Sequence, residues 1–169
     1  MKFAYADPPY IGMAHCYEEN EEVDHLELIQ KMCKEYDGWA LSLHVPSLKQ
    51  ILGYCPDDVR IAAWIKPFAF FKKNVNPGYA WEPVIFWHGR SRGVKVPTER
   101  DWVAANATFK KGMIGAKPRA VAWWIFEFLG MKPEDEFIDL YPGTGAVTKA
   151  WESWRDMKSC TQTELLLPP

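Results

Sequence analysis

The tetrapeptide Asp7-Pro8-Pro9-Tyr10, directly after the apolar segment Phe3 to Ala6, is the part of this chain best suited to chemistry. An amine attached to an aromatic ring is a poor nucleophile, because its lone pair is delocalised into the ring and must be drawn out before it can attack. A site for such an amine therefore needs acceptors more than it needs a strong base. Asp7 offers a carboxylate, and the Pro8 carbonyl is a second acceptor, held in place by prolines that fix φ at about −65°. Tyr10 supplies a flat face on which the ring can stack. Taken alone, the four residues read equally well as the end of a strand, where prolines commonly stand.

A second run, Asp139-Leu140-Tyr141-Pro142-Gly143-Thr144-Gly145, lies between an expected strand and an expected helix. Glycines there let the backbone approach a ligand closely, and the amides of the first helical turn point at it. One Gly-x-Gly pair is weak, since many strand-to-helix turns carry glycine for geometry alone. Two motifs of this kind, each at the end of an expected strand, are much harder to obtain by accident.

The elements that must position them alternate. Strands are expected at Phe3 to Ala6, Trp39 to Val45, Val59 to Ile65, Pro83 to Trp87, Phe137 to Tyr141 and Thr163 to Leu167. Helices are expected from Asp24, as N-cap, to Tyr36 with Leu26, Ile29 and Met32 or Cys33 inward, from Ser47 to Tyr54, from Arg119 to Leu129 between Pro118 and Gly130, and from Ala146 to about Trp154. Such alternation argues for an α/β fold with a mostly parallel sheet. The direct passage between the strands at 59–65 and 83–87 has no helical pattern and is expected to be one antiparallel hairpin. Open sheets of this kind bind ligands at the carboxyl ends of their strands, where Asp7 would stand.

Composition narrows the function classes. With 169 residues, 48% hydrophobic and 25% charged, the chain fits a single folded domain and not wholesale disorder. Four cysteines and four histidines, scattered without ligand spacing, give no reason to expect a metal. No apolar stretch approaches the roughly 20 residues a membrane span requires, so no membrane role is expected. Reduced thiols and the absence of a signal-like start suit a cytoplasmic location. Net charge is −2, yet residues 88 to 119 carry eight basic residues against Glu99 and Asp101. This long, poorly patterned stretch, with Arg90, Arg92, Lys95, Arg100, Lys110 and Lys111, is the candidate contact for nucleic-acid phosphates. Trp102 and Phe109 are its candidate stacking groups. A solvated loop accounts more simply for the acidic cluster Glu18, Glu19, Glu21, Glu22 and Asp24.

Together the two motifs resemble those of the amino-group methyltransferases that use S-adenosylmethionine, in particular the DNA adenine-N6 enzymes. Their catalytic loop, Asp-Pro-Pro-Tyr, is matched by Asp7, Pro8, Pro9 and Tyr10. Their cofactor loop, Asp-x-Phe/Tyr-x-Gly-x-Gly, is matched by Asp139, Tyr141, Gly143 and Gly145. The catalytic loop comes first, as in the permuted class of that family, and Lys117-Pro118 before a helix resembles the segment preceding the cofactor loop there. The resemblance covers most of the chain and implies a Rossmann-like methyltransferase fold, minimal and truncated at its C-terminal edge.

It further implies S-adenosylmethionine as cofactor and DNA, or alternatively RNA, as partner, in a bacterial cytoplasm or a virus-infected bacterial host. Asp7 and the Pro8 carbonyl would accept from the target amine while Tyr10 stacks on an extruded base. Glycines 143 and 145 would admit the methionine part of the cofactor, Lys117 its carboxylate, and Glu164 its ribose hydroxyls from the end of the last strand. That strand would be an apolar edge that a second subunit covers, giving a homodimer. With no separate recognition domain, sequence specificity is expected to be short or relaxed. The other readings are methylation of cytosine N4, RNA or another amine, and a catalytically silent nucleic-acid-binding subunit or decoy of the same fold.

Overall fold

A computed structural model of the chain describes residues 1–12, 22–67, 75–107 and 117–165, with the main chain alone over 161–165. The elements run β1 (Lys2–Ala6), α1 (His25–Glu35), β2 (Gly38–Ser42), α2 (Leu48–Leu52), β3 (Arg60–Ile65), β4 (Trp81–His88), β5 (Trp102–Ala104), α3 (Arg119–Phe128), β6 (Glu136–Asp139) and α4 (Ala146–Leu165). Six strands form one sheet in the order β5-β3-β4-β2-β1-β6. β1 is parallel to β2 and β6, and β3 is parallel to β5. β4 runs against both of its neighbours, β2 and β3. The fold is the expected Rossmann-like α/β arrangement, and the expected hairpin is β3–β4.

Side-chain alternation assigns the helices to the two faces of the sheet. Phe3 and Tyr5 of β1, Ala40 of β2, Trp64 of β3 and Phe86 of β4 face one way, against α3 and α4. Ala4 and Ala6, Trp39 and Leu41, and Ile85 face the other way, against Leu28, Ile29 and Met32 of α1 and Ile51 of α2. The first face is aromatic: Phe126 of α3 meets Trp151 and Trp154 of α4 edge-on, at ring separations of 5.3 and 5.7 Å. Trp151 and Trp154, three positions apart on one helical face, stack on each other at 5.3 Å.

Local chemistry sets several boundaries. The Asp24 carboxylate accepts from the Glu27 amide at 3.0 Å, the expected N-cap of α1. Leu26, expected on the inner face, is 42% exposed, and Leu28 takes that place. Ser47 does not cap α2; its hydroxyl is 2.8 Å from His44 Nδ1.

Two larger departures from expectation bear on function. A short strand, β5, lies inside the stretch expected to be loop. It pairs with β3, and the indoles of Trp64 and Trp124 donate to the carbonyls of Ala105 and Arg100 on either side of it. The last strand is not found among the described residues: residues 163–165 continue α4, while 166 and 167 lie outside the described residues. Periodicity cannot separate a short apolar strand from the end of a helix, and here α4 carries on from the face that Trp151 and Trp154 seat on α3. Residues 163–165, as part of α4, do not form the sheet edge that a second subunit was expected to cover.

At the amino-terminal edge of the sheet one buried carboxylate ties three segments together. Asp135, with 1% of its side chain exposed, accepts from Arg90 Nη2 at 2.6 and 2.7 Å, from the Met1 ammonium at 2.8 Å and from the Lys132 amide at 2.7 Å. Burial alone would raise its pKa, but these donors outweigh burial and hold it below the usual carboxylate value. A depressed folded pKa contributes stability that is present above the unfolded value and is lost as pH falls through the folded one. Asp135→Ala is expected to cost about 3 kcal/mol at pH 7, with the gap to the wild type narrowing below about pH 4, as read from urea unfolding.

Candidate active site

Strand direction alone brings the motif residues to one edge. β1, β2, β3, β5 and β6 all end there, and β4 begins there, since Ile65 pairs with Trp81 and Tyr5 with Asp139. Asp7 follows β1, His44 follows β2, Lys66 follows β3, Glu82 is the second residue of β4, and Asp139 ends β6. α3 and α4 start at the same edge, so Lys117 and the glycine turn before Ala146 arrive there as well.

The carboxylate of Asp7 is paired. Lys117 Nζ lies 2.8 Å from Asp7 Oδ2 and 3.4 Å from Glu82 Oε2. Lys66 Nζ holds the other oxygen of Glu82, and the Tyr10 hydroxyl donates to Glu82 Oε2 at 3.4 Å. Both ammonium groups lie over the Trp64 ring, at 4.7 Å for Lys66 and 5.5 Å for Lys117. Only 4% of the Lys117 side chain is exposed, against 16% for Glu82 and 19% for Asp7 and Lys66, so this is a largely buried set of two acids against two bases. Such a set persists in low dielectric because each charge has a partner.

Burial and pairing pull the titrations apart. Burial lifts the Asp7 carboxyl above its ordinary value in spite of Lys117, and leaves it more basic than an exposed aspartate. Burial disfavours the charge on Lys117, but Asp7, Tyr5, Tyr10 and Glu82 outweigh it and keep the group an ammonium well past its usual range. Burial would raise Glu82 too, yet Lys117 and Lys66 bring it below the ordinary glutamate value. Burial also pushes the Tyr10 phenol well up, so its hydroxyl stays a donor.

Pro8, Pro9 and Tyr10 continue the loop after β1. The Pro8 residue is buried, and its carbonyl receives no hydrogen bond from the described residues. The Tyr10 ring lies parallel to His44, with centroids 4.8 Å apart and planes within 3°. The Ser47 hydroxyl on His44 Nδ1 fixes that imidazole in turn.

The second motif stands on the adjacent strand. The Thr148 hydroxyl donates to Asp139 Oδ2 at 3.2 Å, whereas Oδ1 is buried with no hydrogen-bond partner among the described residues. Burial raises the Asp139 carboxyl, Thr148 and the Tyr141 amide oppose that, and the charge of Asp7 adds to the rise. Gly143 and Gly145 have φ of 45° and 70°, a region that favours glycine. A β-carbon at Gly145 would meet nothing within 4 Å, and one at Gly143 only the Tyr141 carbonyl at 4.0 Å. An orphaned buried acceptor beside an open glycine turn fits a ligand that brings hydroxyl or ammonium donors.

Other candidates fall elsewhere. Glu164 lies 18 positions after Ala146 on α4, about 27 Å along the helix from the site edge, and not at a strand end. Arg90 is engaged by Asp135 and the Gly130 carbonyl, and Arg92 lies 3.8 Å from Glu99. Lys95 and Arg100 are exposed, the latter over the Trp102 ring at 5.2 Å. All four follow the end of β4 and precede β5, which puts them towards the edge opposite Asp7. Lys110, Lys111 and Phe109 lie outside the described residues. Glu82, Lys66, His44 and Trp64 were not anticipated. The one signal for Glu82 was an acid heading the apolar run Pro83 to Phe86.

No family model matches the chain, and no curated protein matches it. Among solved structures, the chain is similar to the crystal structure of an M1.HpyAVI-SAM complex, with a TM-score of 0.61 and 13% identity over 91% of this chain and 77% of that one. A crystal structure of M1.HpyAVI gives a TM-score of 0.59 and 14% identity over 91% and 76%. The likeness is one of fold.

Lys117→Met removes the counter-ion of Asp7 and drives the folded carboxyl higher still. An acid with a raised folded pKa loses stability as pH climbs from the unfolded value towards the folded one. The variant is expected to lie about 3 kcal/mol below the wild type at pH 8 and closer to it at pH 5, by urea unfolding at the two pH values.

Proposed function

We propose that the chain transfers a methyl group from S-adenosylmethionine to the exocyclic amine of a nucleobase, first among them N6 of adenine in DNA. One observation carries this reading. A basic, largely buried carboxylate, Asp7, and the Pro8 carbonyl, which receives no hydrogen bond from the described residues, stand one strand away from Asp139, whose Oδ1 is buried without a partner among those residues. The fold likeness to a protein solved with SAM supports the same cofactor here.

When bound, S-adenosylmethionine supplies an electrophilic methyl group on a sulfonium. Asp139 Oδ1 and the turn at Gly143 and Gly145 are the residues to hold it. Asp7 and the Pro8 carbonyl accept the two hydrogens of the target amine, which turns its lone pair out of conjugation. Tyr10, braced by His44, offers its ring to the base. As positive charge develops on the nitrogen, the Asp7 carboxylate stabilises it, and burial makes that carboxylate the group in reach to take the released proton. The principal gain is positioning.

Recognition of DNA is assigned to segment 88–117, which favours short or relaxed specificity. A second reading, transfer to cytosine N4, RNA or another amine, draws support from one placement: Arg90, Arg92, Lys95 and Arg100 lie away from Asp7, so the reacting edge does not depend on them for a duplex.

Labelled S-adenosylmethionine incubated with duplex DNA, single-stranded DNA or RNA, followed by mass spectrometry of nucleosides, decides among these. N6-methyladenine that falls at least about 100-fold in Asp7→Ala is the expected result. Asp139→Ala is expected to weaken cofactor binding about tenfold by calorimetry. Absence of cofactor binding by the wild type would overturn every methyl-transfer version, and cofactor-independent DNA binding alone would mark a silent relative.

A further inference from the structure

The ammonium of Lys117 has two carboxylates in reach, and it occupies the one that the proposed reaction needs. Its Nζ lies 2.8 Å from Asp7 Oδ2 and 3.4 Å from Glu82 Oε2. A target amine arriving at Asp7 shares the carboxylate with that ammonium. A lysine left on Asp7 also withdraws electron density from the acceptor, and sets a positive charge beside a nitrogen that becomes positive itself. Displacing the ammonium from Asp7 without another partner would leave it buried and bare, which is strongly unfavourable.

Glu82 is built to receive it. Lys66 holds its Oε1, which leaves Oε2 turned towards Lys117 and the Tyr10 hydroxyl. A carboxylate has about four lone-pair sites, enough for all three donors. The Trp64 ring lies 4.7 Å from the Lys66 ammonium and 5.5 Å from the Lys117 ammonium, the two cations that Glu82 binds. Asp7, Glu82 and Lys117 come from β1, β4 and the approach to α3, so only the folded sheet brings them together.

We propose that Glu82 is a positioning residue, the second seat of the Lys117 ammonium, which lets Asp7 exchange lysine for the hydrogens of the target amine without leaving a buried charge unpaired. Tyr10 donates to the same Glu82 oxygen, so the ring that stacks on the base and the cation that leaves Asp7 meet at one atom. The consequence for catalysis rests on the methyl-transfer reading, whereas the seat itself does not.

The seat is tested without catalysis. Urea midpoints of Asp7→Asn, Glu82→Gln and the double variant should show a double loss well beyond the sum of the singles, since each single leaves Lys117 one acid and the double leaves none. Additive losses would overturn the proposal. Should the double variant not fold, nitrogen NMR of the lysine side chains in Asp7→Asn decides. Lys117 hydrogens that stay protected from exchange support the seat, and exchange as fast as that of exposed lysines rejects it.

With an active wild type, Glu82→Gln should lower kcat about tenfold while S-adenosylmethionine affinity by calorimetry is unchanged, and Glu82→Asp should recover part of the loss. An unchanged kcat in Glu82→Gln would overturn the catalytic role. A wild type that transfers no methyl group defeats the function reading instead, and the midpoint cycle then decides the seat alone.

Discussion

Everything at the working edge of this sheet depends on keeping two acids and two bases together out of water. Asp7, Glu82, Lys66 and Lys117 could not be buried singly, because each isolated charge would be neutralised or would drag its segment back to solvent. As a balanced set they hold the loop after β1, the start of β4, the end of β3 and the approach to α3 in one place. The same balance makes Asp7 an unusual aspartate. It is more basic than an exposed one, yet it has a counter-ion.

The scaffold behind the edge explains how so few residues are enough. Parallel strands deliver their following loops to one side, and β4, by running the opposite way, delivers its beginning there instead. Thus Glu82, more than 70 residues from Asp7 in the chain, joins it through strand direction. The aromatic packing of Phe126, Trp151 and Trp154 fixes α3 against α4, so that Lys117 and the glycine turn are held from the same layer.

Much of this was legible in the sequence because it obeys local rules. Asp24 caps α1, Pro118 opens α3, prolines mark the end of β1, and glycines mark the turn before α4. What was not legible is non-local. β5 has only three residues, too short a run to read as a strand; the Ala63 amide donates to the Asp101 carbonyl, the Ala105 amide donates to the Ile65 carbonyl, and two indoles pin its flanks. Glu82 reads in sequence as an ordinary acid at a strand start, since nothing nearby in the chain reveals Lys117. Arg90 reads as one basic residue among several, and only the folded chain shows Asp135 beneath it. α4 outran its expected end because Arg155 to Leu165 contains no proline or glycine to stop it.

The length of β4 also sets a scale for any nucleic acid that meets both edges of the sheet. Glu82 and His88 are six residues apart on it, about 20 Å at the rise of a strand. One nucleotide strand advances about 3.4 Å per base along a duplex, so that span corresponds to roughly six bases. A phosphate gripped by the Arg92 to Arg100 loop would therefore belong to a nucleotide about half a helical turn from the base at Asp7. The footprint would be long and the chemistry local.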